Sequence, residues 1–124
     1  MPTYPCFWIE KQSDGTWLRR STGESQPFPT FFGPGAMWNA PWMRDTDPAK
    51  SLCKEYPDGL TLVVMTPGGD WLVDGPSYDG TQHHSCPWTR TGDPMQPETL
   101  DVSPSINIRG AYHGWLRGGQ LTDA

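Results

Sequence analysis

The chain has 124 residues, a formal net charge of −5 and an unusual apolar composition. Leu, Val, Ile and Phe make up 19 residues, about 15% of the chain, below the roughly 20% under which a sequence is suspected of disorder. Against this stand seven Trp and a charged fraction of 19%, whereas disorder requires low hydrophobicity together with high net charge. Because each Trp can bury about 150–250 Å², Trp can replace the missing aliphatic core. We therefore expect one folded, turn-rich domain over residues 1–124.

Several classes of protein are excluded by the same features. No run of about 18 apolar residues is present, so we expect no membrane-spanning helix, and the first residues lack the basic and apolar regions of a secretory signal. Mild acidity without a basic cluster beyond Arg19-Arg20 argues against nucleic-acid binding. The three cysteines are too few and too far apart for a secreted disulfide framework, which favours the cytoplasm.

In chain order, the first predicted element is a hairpin of residues 7–11 and 16–20 around the turn Ser13-Asp14-Gly15. Residues 21–39 contain three Pro and several turn signals, so we expect a long ordered loop there. Its aromatic residues are Phe28, Phe31, Phe32 and Trp38.

The rest of the chain predicts one helix and further short strands. Residues 47–56 form the helix candidate, with Asp47 as cap and Pro48 at the first helical position. Residues 60–65 and 70–73 read as a second hairpin, in which the apolar run 62–65 is the most buried strand. The remaining strand candidates are residues 88–91, 99–102 and 105–108, and a final hairpin of 112–116 and 120–122. The expected fold is mainly β: a compact antiparallel sandwich or partly open barrel with one short helix.

The tryptophans divide into an expected core set and an expected surface set. We assign to the core Trp71, Trp88, Trp115 and one of Trp8 and Trp17. Trp38 and Trp42 remain as the expected exposed pair, and two methionines lie beside them. Because exposed Trp and Met are typical of binding hot spots and Trp also stacks on sugars, this segment is a candidate binding surface. Its residues are Met37, Trp38, Trp42 and Met43.

Histidine and cysteine residues suggest a second kind of site. Zn²⁺ accepts imidazole and thiolate ligands, and His84 and Cys86 could supply two of them from one turn. Cys53 and His113 would then complete the set, although the spacing matches no zinc-finger pattern. The alternative is that these are buried cysteines and surface histidines.

Catalytic motifs are missing from the sequence: we find no motif of hydrolases, phosphate loops or dinucleotide binding. The remaining catalytic candidate is the thiol of Cys86, which the neighbouring histidines could polarise.

Two stretches together resemble a family of small, uncharacterised proteins of tailed bacteriophages and prophages. Residues 35–43 (GAMWNAPWM) resemble its central motif, and residues 104–108 (PSINI) with 112–117 (YHGWLR) resemble its C-terminal signature. Residues 71–76 (WLVDGP) and 88–94 (WTRTGDP) also match its usual pieces, so the resemblance covers most of residues 7–122.

The resemblance implies a phage-encoded protein of the host cytoplasm and carries over no established activity. Some distant relatives have Cys and His positions suggestive of zinc; here His113 matches, but paired Cys motifs are missing. We therefore expect a non-enzymatic binding module that acts on a host protein or a small host-derived ligand, in a role such as countering host defence. The alternatives are a zinc-binding domain, structural or hydrolytic, and a minor structural component of the virion.

Overall fold

The computed structural model describes residues 3–42, 56–75, 88–108 and 112–123. These residues form short strands and two 3₁₀ helices, Pro29–Phe32 and Pro97–Thr99. The strands are β1 (Thr3–Pro5), β2 (Phe7–Trp8), β3 (Glu10–Lys11), β4 (Trp17–Arg19), β5 (Glu24–Gln26), β6 (Ala36–Asn39), β7 (Leu62–Thr66), β8 (Gly69–Leu72), β9 (Thr89–Thr91), β10 (Asp101–Ile108), β11 (Tyr112–Arg117) and β12 (Gln120–Asp123). The expected mainly β class is confirmed.

The described strands form three sheets and no closed barrel. The first sheet has the order β1-β12-β11-β10-β9, the second β2-β6-β7-β8 and the third β3-β4-β5. All strand pairs are antiparallel except β2 with β6, which run parallel with Phe7 opposite Ala36 and Trp8 opposite Met37. The expected arrangement is antiparallel throughout, so this parallel pair differs from it. β2 and β6 run in the same direction because the chain between them, which includes β3, β4, β5 and the first 3₁₀ helix, returns to the end of the sheet at which β2 began.

The second sheet is the middle layer of a sandwich, because both of its faces are buried. Met37 and Val64 belong to a core cluster shared with residues of the first sheet, such as Leu116. Their neighbours Trp38 and Val63 belong to a second cluster, shared with Trp17 of the third sheet. Successive side chains on a strand point to opposite faces, so a strand buried on both sides must be apolar throughout. The prediction that residues 62–65 form the most buried strand is consistent with three of these four side chains being fully buried.

The three predicted hairpins are confirmed. β3 pairs with β4, β7 with β8, and β11 with β12, all antiparallel. The first turn shows the local chemistry that made it predictable: Asp14 Oδ1 accepts hydrogen bonds from the backbone N–H and the hydroxyl of Thr16, at 2.9 and 2.6 Å. Gly15 supplies the positive φ of 89°.

Other expectations need correction. Residues 21–39 are not one long loop, because they contain β5, a 3₁₀ helix and the central strand β6. The separate strand candidates 99–102 and 105–108 meet in the single strand β10, which begins at Asp101 because Thr99 is the last residue of a 3₁₀ helix. Trp115 is half-buried, with the Arg117 guanidinium 4.2 Å from its ring, and is outside both core clusters. The helix candidate, residues 47–56, lies outside the described residues apart from Tyr56, which is not helical.

Candidate functional site

Three tryptophans form a stack that runs from the core to the surface. Trp38, 4% exposed, contacts Trp17 edge to face with ring centroids 6.2 Å apart. Trp17, 5% exposed, makes the same kind of contact with Trp42, also at 6.2 Å. Trp42 is 41% exposed. Edge-to-face pairs add about 0.5–1.5 kcal/mol beyond the area that they bury, so a buried ring holds this surface ring in place.

The four residues of the predicted binding surface do not lie together on the surface of the structure. The expectation that Trp38 is exposed is wrong, and Met37 beside it is fully buried. Both lie on β6, whose two faces are covered by the neighbouring layers, so neither can reach a partner. Trp42 is exposed as expected, and its role in binding stays a prediction. Met43 lies outside the described residues.

Trp42 lines a cavity of about 360 Å³, which we call the Trp42 cleft. The Lys11 ammonium lies 5.7 Å from the centre of the Trp42 ring, within the range of a cation–π contact. The cleft is lined by aromatic and apolar groups with a few polar ones, the usual composition of a ligand site. Its described lining residues are Trp8, Ile9, Glu10, Lys11, Trp17, Asn39, Pro41, Trp42, Leu60 and Met95.

A second cavity of about 570 Å³, which we call the Arg19 cleft, adjoins the first. The Arg19 guanidinium stacks over the Phe7 ring at 3.9 Å, and its Nε donates to Ser21 Oγ at 3.3 Å. Arg20 forms an ion pair with Glu10 at 2.5 Å. This cleft lies between the end of the β3–β4 hairpin and the turns that contain residues 95–98 and 118–120.

The residues predicted to bind zinc are not brought together within the described structure. His113 lies on β11 and is exposed, whereas Cys53, His84 and Cys86 lie outside the described residues. Among the residues that the structure describes, no group of three His, Cys, Asp or Glu side chains could hold a metal ion. The zinc site therefore stays a prediction.

The described cysteine, Cys6, is buried at 8% exposure in the core next to the Arg19 cleft. Burial raises the pKa of its thiol to about 12, although a backbone hydrogen bond near Leu121 acts in the opposite direction. A thiol with such a pKa carries almost no thiolate at neutral pH, and thiolate is the reactive form. Cys6 therefore acts as a small apolar core residue.

Sequence reasoning missed a buried ion network centred on Arg90 of β9. The guanidinium binds Asp74 through Nε and Nη2, at 2.9 and 3.1 Å, and binds Asp58 through Nη1 and Nη2, at 2.7 and 3.1 Å. It also stacks over the Tyr56 ring at 3.9 Å. Asp74, fully buried, accepts a further hydrogen bond from the Leu62 backbone N–H at 2.9 Å. Arg90 and Asp74 occur in the pieces WTRTGDP and WLVDGP, but the sequence holds no signal that would have paired them.

The network ties the first sheet to the second and fixes the charge of its members. Burial by itself lowers the pKa of the Arg90 guanidinium, but the hydrogen bonds to Asp58 and Asp74 outweigh it, so the pKa is raised. The hydrogen bonds from Arg90 hold the pKa of Asp58 below its usual range against the opposing effect of burial. With its donors bound to two carboxylates, Arg90 serves structure rather than ligand binding.

Comparison with known proteins found no matching family model, no matching curated protein and no matching solved structure. The described part of the chain contains no helix that is both long enough and apolar enough to cross a membrane.

Proposed function

We propose that the protein is a non-enzymatic binding module and that the Trp42 cleft is its binding surface. The observation that carries the proposal is the exposed Trp42 ring seated on the buried Trp17. Trp at the centre of an interface commonly supplies a large share of the binding energy, and a ring held in place before binding loses little entropy when a partner arrives.

The size and lining of the cleft support the same proposal. Its volume of about 360 Å³ lies within the roughly 300–1,000 Å³ typical of ligand sites. Lys11 and Glu10 place charged groups in a mostly apolar wall. The apolar groups offer a partner contact area, and the charged groups can orient it.

The cellular setting of the proposal comes from the resemblance to small phage proteins. In an infected bacterium, the partner would be a host protein or a small host-derived ligand in the cytoplasm, and a host defence system is one such target. This setting rests on the resemblance of residues 35–43, 71–76, 88–94, 104–108 and 112–117 to that family.

A capture experiment with matched variants tests the proposal. Immobilised wild-type protein, Trp42→Ala and Phe28→Ala are each exposed to an extract of bacterial cells, and the retained proteins and small molecules are quantified. Phe28 is 58% exposed and lies outside the described lining of both clefts, so it controls for the loss of any surface aromatic ring. We expect Trp42→Ala to lower retention about tenfold or more while Phe28→Ala leaves it unchanged. Equal retention by all three proteins, or retention of nothing by the wild type, would contradict the proposal.

A further inference from the structure

The Trp42 cleft and the Arg19 cleft are two ends of one groove. Trp8, Glu10 and Met95 line both cavities, so a ligand that enters one end can continue into the other. Met95 is 52% exposed and stands at this junction. Met side chains adapt to the shape of a partner because they are unbranched and polarizable. The groove thus suits an extended ligand better than a compact one.

The backbone at the centre of the groove leaves one strand residue, Trp8, facing the groove. Phe7 and Ile9 donate their N–H groups to Gly35 O and Met37 O, each at 2.9 Å, on the side of β6. Because backbone groups alternate in direction along a strand, the N–H and C=O of Trp8 point to the opposite side. Among the described strands, none pairs with β2 on that side. The opening on that side is one residue long, because the Cys6 N–H donates to Gly119 O at 2.7 Å and Glu10 pairs with Leu18 of β4. A ligand main chain can therefore form hydrogen bonds with the strand at Trp8.

The charges along the groove favour an acidic partner. Of the described residues that line it, Lys11, Arg19 and Arg20 are cationic, while Glu10 and Glu98 are acidic. Glu10 is engaged by Arg20, whereas Lys11 and Arg19 have no carboxylate partner among the described residues. Stacking on Phe7 orients the Arg19 guanidinium, whose terminal nitrogens can bind a carboxylate in the two-point geometry. Beside the Arg20–Glu10 pair, the groove therefore holds two cations, Lys11 and Arg19, and one further carboxylate, Glu98, in a chain whose net charge is −5.

We propose that the groove binds an extended acidic peptide segment that places an aromatic or large aliphatic side chain in the Trp42 cleft and carboxylates beside Arg19 and Arg20. The proposal rests on the proposed binding function and adds the chemistry of the partner. The Trp8 backbone supplies one hydrogen-bond donor and one acceptor to the peptide main chain. Attraction to Lys11, Arg19 and Arg20 sets the direction and the salt dependence of binding.

A random heptapeptide library displayed on phage and selected against the immobilised wild-type protein at low ionic strength provides the probe. We expect the selected peptides to be rich in Asp and Glu and to share one aromatic or large aliphatic position. Synthetic peptides of the selected sequences should bind about tenfold or more weakly when the salt concentration is raised from 50 to 500 mM, as expected for exposed charges.

Matched variants separate this proposal from the proposed function. Arg19→Gln and Arg20→Gln should each weaken the binding of the synthetic acidic peptide several-fold, and its affinity should then depend less on the salt concentration. Arg117→Gln changes the net charge equally at a residue outside the described lining of both clefts, so it should have no effect on peptide binding.

The composition of the selected peptides distinguishes the outcomes. If the selected peptides are neutral or basic, or if their affinity does not depend on the salt concentration, the proposal of an acidic partner is wrong, whereas the proposed binding function is unaffected. If no peptide is selected, or if Trp42→Ala binds an oligosaccharide panel less well than wild type while peptides fail, the peptide proposal is overturned. Selected peptides that bind Trp42→Ala as tightly as wild type instead contradict the Trp42 cleft as the binding surface.

Discussion

Trp17 is the residue through which the surface aromatic ring is coupled to the core. It contacts Trp38 on its buried side and Trp42 on its exposed side, in each case with ring centroids 6.2 Å apart. Its neighbours differ sharply in exposure, 4% for Trp38 and 41% for Trp42. The same residue type, four positions apart, therefore has a structural role in one case and a proposed binding role in the other.

That difference predicts opposite behaviour for two alanine variants. Trp38→Ala removes a fully packed ring from the second core cluster and should lower the free energy of unfolding by about 3–5 kcal/mol. Trp42→Ala should lower it by roughly 1 kcal/mol, because the ring is 41% exposed and its removal takes much less buried surface from the protein. Urea unfolding of both variants beside the wild type measures the two values. Equal losses would mean that Trp42 is as much a core residue as Trp38.

At the scale of single strands, β11 contains a glycine, Gly114, at a position where its neighbours leave no room for a side chain. A Cβ atom at Gly114 would lie 2.5 Å from the Tyr112 hydroxyl and 2.6 Å from the Thr122 carbonyl oxygen. Tyr112 is itself buried in the first core cluster, so its ring cannot move aside freely. Glycine is required at this position by close packing between β11, its own tyrosine and the neighbouring strand β12.

Gly114→Ala should therefore destabilise the fold by about 1–3 kcal/mol, the usual cost of overpacking. Tyr112→Phe removes the nearest atom, so the same glycine substitution should cost less in that background than in the wild type. Thermal unfolding of the two single variants and the double variant gives the coupling between them. A Gly114→Ala protein as stable as the wild type would show that the strands separate easily at this point.

The strands could be predicted from the sequence where their signals are local. Asp14 and Gly15 make a turn by hydrogen bonds and backbone angles within four residues, so the first hairpin follows from its own sequence. β6 could not be found this way, because four residues after a Gly-Pro-Gly turn become a central strand only when neighbouring layers cover both faces. The same limit explains the error over Trp38, whose burial depends on Trp17 some twenty residues earlier in the chain.

The candidate site was predicted only in part for similar reasons. Trp42 lies outside the strands predicted from the sequence, so its exposure could be predicted. The groove around it also includes Trp8, Lys11 and Met95, which come from three separate parts of the chain. The Arg90 to Asp74 ion pair joins residues 16 positions apart and crosses between two sheets. No pattern of spacing within one element encodes such contacts.

At the scale of the whole molecule, the Arg90 network is a buried polar connection between the first and second sheets. Replacement of one partner leaves a buried charge uncompensated, which typically costs about 3–5 kcal/mol, whereas replacement of the whole network by apolar groups can cost far less. Arg90→Met should therefore be strongly destabilising, because it leaves the fully buried Asp74 without its cation. Chemical denaturation at pH 7 measures the loss, and an unchanged midpoint would show that the network contributes little to the joint between the sheets.

The network also predicts how stability depends on pH. Because the pKa of Asp58 is lower in the folded protein than its unfolded value near 3.9, its contribution is present above about pH 4 and is lost as the pH falls through the folded pKa. Asp58→Asn removes this titration, so its stability should fall less steeply than that of the wild type between about pH 4 and pH 2. Midpoints of thermal unfolding across this range provide the comparison. Identical slopes for Asp58→Asn and the wild type would contradict the assigned ion pair.

The central claim, that a partner binds against Trp42, is tested most directly by nuclear magnetic resonance of the tryptophan indole N–H groups. The seven tryptophans are labelled with ¹⁵N and assigned by single substitutions, and a partner or selected peptide is then titrated into the protein. If a partner binds against Trp42, the indole signals of Trp42 and its cleft neighbours Trp8 and Trp17 should shift, while those of Trp71 and Trp88, buried together between the sheets, should stay in place. Saturable binding that shifts the signal of Trp115 or Trp71 and leaves that of Trp42 unchanged would contradict this binding site.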